Sequence, residues 1–247
     1  MGGFERFTLP SGNKMLYCPT ETFPPGKGTI QIADITAQDL NLFHSNLKDR
    51  SQPVNVLELG VGPGTFLVEL ASQLFVPSQF KFDGIDFDPL SVKLTKHNLK
   101  KIGIWRHIKI NVEINNADWN HSETWNNFKN IYYHLIYFNP PYLHWEAEIP
   151  EKLGDTPQDM VRADGHGGLY HYRSVLKRLP SILSKQSGSS IVFRIPEYLD
   201  NKDLASNEEG SLGRVLWKDV IPQIPNAKVI YNNLAPYAKG HFCKIII

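Results

Sequence analysis

Four consecutive residues, Asn139-Pro140-Pro141-Tyr142, carry the most specific chemistry in the sequence. The side-chain oxygen of Asn139 and the main-chain carbonyl of Pro140 can each accept one hydrogen from the same NH₂ group. Such a pair would fix a planar nitrogen and stabilise the positive charge that develops as the nitrogen forms a bond. The two prolines restrict the backbone, and Tyr142 offers a flat face to a planar group. A rigid turn with a capping asparagine is the purely structural alternative.

A glycine-rich segment follows the first strongly apolar run, with glycines spaced G-x-G-x-G between Glu58 and Thr65: Gly60, Gly62 and Gly64. Glycines at such a turn allow positive φ angles and a close approach between backbone and ligand. A helix beginning there would present free N–H groups to a carboxylate or phosphate. The dinucleotide fingerprint is G-x-G-x-x-G, and Thr65 stands where its third glycine would be. A tight turn without a ligand is the other interpretation.

Three further acids lie at or after the ends of predicted strands. Asp86 ends the second strand, where a carboxylate can accept two hydrogen bonds from ribose hydroxyls. Asp88 is typical of a helix cap, because Pro89 after it suits the first helical position. Asp118 and Trp119 follow the third strand, where an aspartate more often caps a turn than binds a ligand.

The elements that would position these groups alternate between strands and helices from residue 54 onwards. Apolar runs predict strands, and apolar residues three and four apart predict helices. The predicted strands are Val54–Leu59, Phe80–Asp86, Ile108–Val112, Ile131–Phe138, Ile191–Ile195 and Phe242–Ile247, with helices over 64–74, 88–101 and 169–179. This alternation predicts an α/β fold with a doubly wound, mostly parallel sheet. Ligands bind beyond the carboxyl ends of such strands, which is where these motifs fall.

The sequence before residue 51 is predicted to form a short N-terminal extension, and residues 51–247 a single catalytic domain. Within the extension, Lys14–Tyr17 suits a strand or hairpin. Residues 36–48 have apolar side chains at helical spacing, which predicts a helix that lies against the core.

Composition argues against several classes of protein. The 247 residues carry a formal net charge of +1, whereas proteins that bind mainly through phosphate contacts are usually more basic. Nucleic acid is therefore not favoured as a partner. The two cysteines, Cys18 and Cys243, form no ligand cluster, so no metal site is expected. The polar N-terminus and the lack of a long apolar run predict a cytoplasmic protein without a membrane segment.

The motifs resemble those of class I S-adenosylmethionine-dependent methyltransferases with an N-P-P-Y motif, and most of all the HemK-type protein-glutamine N-methyltransferases. The glycine-rich segment 164–169 and the pair Pro196-Glu197 support the comparison, which covers roughly residues 54–200, the span of one catalytic domain. The sequence departs from that family at Gly167, where an acid is usual. It also has fewer than sixty residues before the glycine loop, too few for the family's helical substrate-recruiting domain.

This resemblance implies S-adenosyl-L-methionine as the cofactor and methyl transfer to an amide or amino nitrogen as the reaction. Asp86 would bind the ribose, Phe87 would pack on the adenine, and Asp118 would bind the adenine amino group. Asn139, Pro140 and Tyr142 would hold the acceptor nitrogen. The full cofactor set comprises Glu58, Gly60, Gly62, Gly64, Thr65, Asp86, Phe87, Asp118, Trp119 and Asn139.

Several identities for the acceptor stay open. A protein glutamine amide follows from the family resemblance, and a small-molecule or peptide nitrogen from the missing recruiting domain and the neutral charge. An adenine amine in RNA or DNA would follow from the N-P-P-Y loop alone. A silent methyltransferase fold that serves as a scaffold is the non-enzyme alternative, and a nicotinamide-dependent dehydrogenase is the other enzyme class. The oligomeric state is left open.

Overall fold

The computed structural model describes residues 3–105, 107, 109–140, 169–195, 204–209, 211–234 and 241–247. The predictions for Pro141, Tyr142, residues 164–168 and Pro196-Glu197 therefore lie outside the described residues. The chain divides into two compact units, Met1–Asp118 with Leu234–Lys239, and Trp119–Asn233 with Gly240–Ile247. Every helix among the described residues is too short or too polar to cross a bilayer.

The first unit begins with a hairpin and continues as alternating strands and helices. Its elements are β1 (Glu5–Thr8), β2 (Lys14–Tyr17), α1 (Lys27–Ser45), β3 (Val54–Leu59), α2 (Thr65–Gln73), β4 (Phe80–Asp86), α3 (Pro89–Trp105) and β5 (Asn111–Asn116). Strands β1 and β2 pair antiparallel, while β3, β4 and β5 are parallel in the order β5-β4-β3. Strands β3 and β4 are buried along nearly their whole length, as apolar strands in a parallel sheet usually are.

The register of these strands brings the predicted acids to one edge of the sheet. Glu58 pairs with Gly84, Leu59 with Ile85, and Asp86 with Asn116. Because the strands are parallel, their carboxyl ends lie side by side, and the glycine loop, Asp86 and Asn116 leave the sheet at the same edge.

In the second unit, the described residues form four strands in the order β6-β7-β9-β8. Its elements are α4 (Ser122–Asn126), β6 (Leu135–Phe138), α5 (Tyr170–Leu176), β7 (Ser190–Ile195), α6 (Leu212–Arg214), a π-helical stretch (Val215–Val220), a 3₁₀ turn (Ile221–Gln223), β8 (Lys228–Asn233) and β9 (His241–Ile246). Strands β6 and β7 are parallel, whereas β9 runs antiparallel to both of its neighbours.

Several predicted element bounds are wrong, most clearly for strands with little burial. The third strand was expected over residues 108–112 but spans Asn111–Asn116, where only Ile114 is buried. Strand β8 was not predicted, because its side chains alternate between partly and fully exposed and carry no strong apolar pattern. Helix α1 begins at Lys27, nine residues before the predicted start.

A buried carboxylate joins the hairpin to α1 and α2. Glu69 is fully buried, and its carboxylate accepts hydrogen bonds from Ser11 N at 3.2 Å, Ser11 Oγ at 2.6 Å and Gln73 Nε2 at 3.0 Å. Asp34 on α1 shares the Gln73 amide, with its Oδ1 at 3.4 Å. Burial, followed by the negative charge of Glu69, raises the pKa of Asp34 to about 6.

Asp34→Asn should change how stability depends on pH. An aspartate whose pKa is raised on folding binds its proton more tightly in the native state, so its contribution is present below about pH 4 and is lost as the pH rises through 6. The wild type should therefore lose stability relative to Asp34→Asn over that range in urea unfolding. Asp39→Asn, an exposed change on the same helix, should show no such difference. Parallel curves for all three proteins would contradict the raised pKa.

Candidate functional site

The glycine loop between β3 and α2 has the backbone shape that its sequence predicts. Gly60, Gly62 and Gly64 have φ angles of +78°, +50° and +90°. Gly64 is the residue before α2, and a Cβ added there would lie 3.0 Å from Thr95 Oγ1 and 3.1 Å from Thr95 Cα. The left-handed backbone and the close approach of α3 together require glycine at this position.

Two buried polar side chains on α3 hold this loop by hydrogen bonds to its carbonyl groups. Thr95 Oγ1 donates to the carbonyl of Gly62 at 2.8 Å, and Asn98 Nδ2 donates to the carbonyl of Pro63 at 2.9 Å. Asn98 also pairs with both main-chain groups of Leu16 in the hairpin, at 2.8 and 2.9 Å. The N-terminal hairpin is therefore tied to the glycine loop through one amide side chain. Sequence reasoning missed both residues, although buried polar groups three apart on a helix share one face.

Asp86 fastens the loop to the end of β4. Its Oδ2 accepts the N–H of Gly62 at 2.8 Å, and its Oδ1 accepts the N–H of Asp88 at 2.9 Å. Burial raises the pKa of Asp86 to about 6, although these two backbone donors oppose the shift. Each carboxylate oxygen has a second lone pair that neither bond uses. The group can therefore accept further hydrogen bonds without releasing the loop.

Asp88 has the capping role predicted for it. Its carboxylate accepts hydrogen bonds from Leu90 N at 3.0 Å, Ser91 N at 2.9 Å and Ser91 Oγ at 2.7 Å. These bonds satisfy N–H groups in the first turn of α3, which begins at Pro89. Asp88 thus anchors the helix that carries Thr95 and Asn98.

Phe87 presents an aromatic ring to solvent on a fixed backbone. Its side chain is 53% exposed. Asn116 Nδ2 donates to the carbonyl of Phe87 at 2.7 Å and to that of Asp86 at 3.0 Å, which fixes the turn after β4. Asn116 is not among the site residues predicted from the sequence. Asp118, two residues further along, is partly exposed.

Glu58 places a second carboxyl group beneath the loop. It is only 3% exposed, and burial, with the charge of Asp86 adding to it, raises its pKa well above the usual range. A hydrogen bond from the backbone N–H of Leu67 acts in the opposite direction. Within the described part of the chain its Oε2 has no hydrogen-bond partner. A buried acceptor of this kind suits a cationic or N–H-donating ligand group.

Trp119 belongs to the interior of the second unit. Its indole N–H donates to His171 Nδ1 at 3.1 Å, and its ring packs edge-on against Phe138 with centroids 5.6 Å apart. It is 7% exposed. The remaining cofactor residues predicted from the sequence, apart from Asn139, lie in the first unit.

Asn139 and Pro140 follow β6 directly. Asn139 is half-buried and Pro140 is buried. Phe138, the last residue of β6, pairs with Phe193 of β7, so Asn139 leaves the strand beside the carboxyl end of β7. Tyr142 lies outside the described residues.

Solved structures that share this fold include methyltransferases. The O-methyltransferase from Bacillus cereus in complex with SAH is 11% identical and has a TM-score of 0.55, with 93% of this chain and 84% of that chain covered. The cofactor-bound Rv0187 from MTB gives the same values. The METTL16 methyltransferase domain is 15% identical with a TM-score of 0.55, over 91% of this chain and 84% of that one. No protein-family model matches the chain, and no curated protein matches it significantly.

These likenesses confirm the predicted fold class. The chain has the class I methyltransferase fold, an α/β architecture with a mostly parallel, mixed sheet and flanking helices. At such low identity the comparison establishes the fold alone, because one fold can carry many different chemistries.

Thr95→Val and Asn98→Ala should loosen the glycine loop. Each change leaves a carbonyl of the loop without its donor, and an unsatisfied buried group costs about 1–3 kcal/mol. We expect lower stability in urea and faster hydrogen exchange at the amides of Gly62 and Gly64. Lys96→Ala, on the exposed face of the same helix, is the matched control. Unchanged exchange in both variants would show that α3 does not hold the loop.

Proposed function

We propose that the protein is an S-adenosylmethionine-dependent methyltransferase that transfers methyl to an amide or amino nitrogen. The observation that carries the cofactor assignment is Asp86, whose carboxylate is held by Gly62 N and Asp88 N and still has lone pairs for two ribose hydroxyls. The exposed ring of Phe87 follows it directly and suits an adenine face. The SAH complex of the Bacillus cereus enzyme, which has the same fold, supports this assignment.

The other groups of the first unit fit the amino-acid end of the same cofactor. The glycines allow backbone N–H groups near the start of α2 to approach a carboxylate. The orphan Oε2 of Glu58 would accept a hydrogen bond from an ammonium group, and that positive charge would favour the ionised carboxyl. When bound, the cofactor supplies a methyl group on a positively charged sulfur, which is already a good leaving group.

The chain's own contribution to catalysis would be to position the nitrogen. Asn139 Oδ1 and the carbonyl of Pro140 would each accept a hydrogen from the acceptor NH₂, which fixes the direction of its lone pair. They would also stabilise positive charge on the nitrogen as the new bond forms. Tyr142 would lie against a planar acceptor. Positioning of this kind can supply several kcal/mol of a reaction barrier, because it removes the entropy of alignment.

The choice of nitrogen rests on the Asn139-Pro140-Pro141-Tyr142 loop, since the fold does not determine the acceptor atom. The neighbour from Bacillus cereus is an O-methyltransferase. A protein glutamine amide and a peptide or small-molecule nitrogen are both consistent with the loop. The near-neutral charge favours these over RNA or DNA.

In this proposal, residues 51–247 form the catalytic domain, as predicted from the sequence. The extension over residues 1–50 would have a supporting role, because its Leu16 bonds to the same Asn98 that holds Pro63 of the loop. A silent scaffold with this fold is the alternative without catalysis. It would bind the cofactor and transfer nothing.

Calorimetry should show binding of S-adenosylhomocysteine and none of NAD. Asp86→Ala should weaken that binding by about 1.5–3 kcal/mol, the value of hydrogen bonds to a charged group. The affinity of the wild type should rise as the pH rises through about 6 and then level off, because only the ionised carboxylate accepts both hydroxyls.

The change in affinity near pH 6 should disappear in Asp86→Asn and persist in Glu113→Gln, a matched change of an exposed acid on β5. Binding of NAD without binding of S-adenosylhomocysteine would overturn the cofactor assignment. A flat pH profile in the wild type would remove Asp86 from the site.

Asn139→Ala should lower single-turnover methyl transfer while most of the affinity for S-adenosylhomocysteine remains. Removing one preorganised acceptor costs about 2.7–4 kcal/mol in comparable sites, or roughly 10²–10³-fold in rate. Asn139→Asp keeps an acceptor oxygen and adds a negative charge. An amine that becomes cationic should therefore tolerate Asp better than Ala. Wild-type turnover in both variants would refute the nitrogen assignment.

A further inference from the structure

A cavity of about 450 Å³ lies in the second unit, beside the carboxyl end of β7. Its lining includes Ile195, Leu204, Trp217, Tyr231, Asn233 and His241. The volume falls within the range of small-molecule sites, about 300–1,000 Å³. None of these residues belongs to the acceptor loop or to the cofactor set.

The strand register builds one wall of this cavity. His241 pairs with Ile195 on one side and with Asn233 on the other, so the three residues form a row across β7, β9 and β8. Directly paired residues project from the same face of a sheet, and Tyr231, two residues before Asn233, projects from that face as well. Trp217 and Leu204 also line the cavity, and a hydrogen bond of 3.1 Å from Trp217 Nε1 to the carbonyl of Leu204 joins them.

The groups on these walls are apolar, polar and aromatic. The lining contains no Asp, Glu, Lys or Arg among the described residues. The indole ring of Trp217 is 43% exposed, and its N–H is already used, so it offers an aromatic surface. Asn233 Oδ1 and His241 Nδ1 form a polar pair 2.6 Å apart at the strand ends.

Tyr231, which lines the cavity, carries a hydroxyl group whose hydrogen-bonding capacity is unused. The oxygen is buried and has no hydrogen-bond partner within the described part of the chain. Burial, followed by the neighbouring Cys243, raises the pKa of the phenol, so the group keeps its proton and can donate. A cavity with an aromatic surface, an apolar wall and one unsatisfied hydroxyl suits a planar, uncharged ring that bears a hydrogen-bonding group.

The position of the cavity relates it to Asn139. Asn139 follows the last β6 residue paired with β7, and His241 lies one strand beyond β7 at the same edge. With strands about 4.8 Å apart, His241 lies roughly two strand spacings from Asn139 and Tyr231 roughly three, or about 10 and 14 Å across the sheet. A molecule of modest length could reach both places.

We propose that this cavity binds an uncharged aromatic or heteroaromatic group of the methyl acceptor, several bonds away from the nitrogen held at Asn139. The acceptor would then be a short peptide with an aromatic residue, or a small aromatic amide or amine. This assignment rests on the proposed N-methyltransferase function, but binding in the cavity can be measured without any methyl donor.

Fluorine NMR of protein labelled with 5-fluorotryptophan provides a local readout. The chain has five tryptophans, and Trp217→Phe identifies the resonance of Trp217. N-Acetylphenylalaninamide represents a peptide acceptor, and indole-3-acetamide represents a small-molecule acceptor. N-Acetylcyclohexylalaninamide, whose ring is not planar, is the control for N-acetylphenylalaninamide. The aromatic probes should shift the Trp217 resonance saturably, and the cyclohexyl probe should bind more weakly. Whichever aromatic probe binds more tightly indicates the source.

Tyr231→Phe should weaken the aromatic probes about two- to tenfold, the effect of losing one hydrogen bond. Ile230→Thr is the matched control, because Ile230 neighbours Tyr231 and projects from the opposite face of β8. The proposal is overturned if the Trp217 resonance does not move, if the cyclohexyl probe binds as tightly, or if both variants behave alike. Displacement of the probes by a single-stranded oligonucleotide, with a steep dependence on salt, would also overturn it in favour of nucleic acid.

The two proposals fail separately in these experiments. Probe binding is measured without a methyl donor, so its outcome does not depend on methyl transfer. Binding of S-adenosylhomocysteine without any response at Trp217 would remove the cavity from the acceptor site and leave the methyltransferase assignment standing. A response at Trp217 without binding of S-adenosylhomocysteine would overturn the methyltransferase proposal, and with it the role of this cavity as an acceptor site.

Discussion

The hydrogen bonds that Asp86 accepts from Gly62 N and Asp88 N hold the first unit's candidate site together. They join the glycine loop, the end of β4 and the turn into α3 through a single buried carboxylate. Burial raises its pKa to about 6, so this junction is ionised near neutral pH and becomes protonated in mild acid. A ribose would add hydrogen bonds to a group that the fold already holds in place. The site would therefore need little reorganisation on binding.

Helix α3 is the second support of this arrangement, since every contact it makes with the loop depends on where the helix starts. Asp88 fixes that start, and Thr95 and Asn98 then reach the carbonyls of Gly62 and Pro63. The same Asn98 bonds to the hairpin, so the N-terminal extension helps to hold the residue that supports the glycine loop. Three buried polar side chains, Asp86, Thr95 and Asn98, thus hold the loop by hydrogen bonds to its backbone.

The sequence predicted the parts of the fold that depend on burial and on glycine. Strands β3 and β4 agree with the predicted bounds because nearly all their side chains are buried, and the loop glycines adopt the positive φ angles expected of them. It misplaced the bounds of β5 and missed β8, because the exposed side chains of these strands carry little pattern. It could not single out Asn98 or Asn116 either, because an asparagine that bonds to the backbone of a distant segment looks like any other polar residue until the chain is folded.

Transfer of a labelled methyl group from S-adenosylmethionine tests the central claim most directly. A cell extract separated into protein, peptide and small-molecule fractions would be incubated with the purified protein and the labelled donor, and the atom that carries the label would then be identified. If Asn139 holds the acceptor nitrogen, the label should lie on nitrogen, resist mild base, and form about 10²–10³-fold more slowly when Asn139→Ala replaces the wild type. A label on oxygen or carbon, or no transfer to any fraction by a protein that binds S-adenosylhomocysteine, would contradict this assignment.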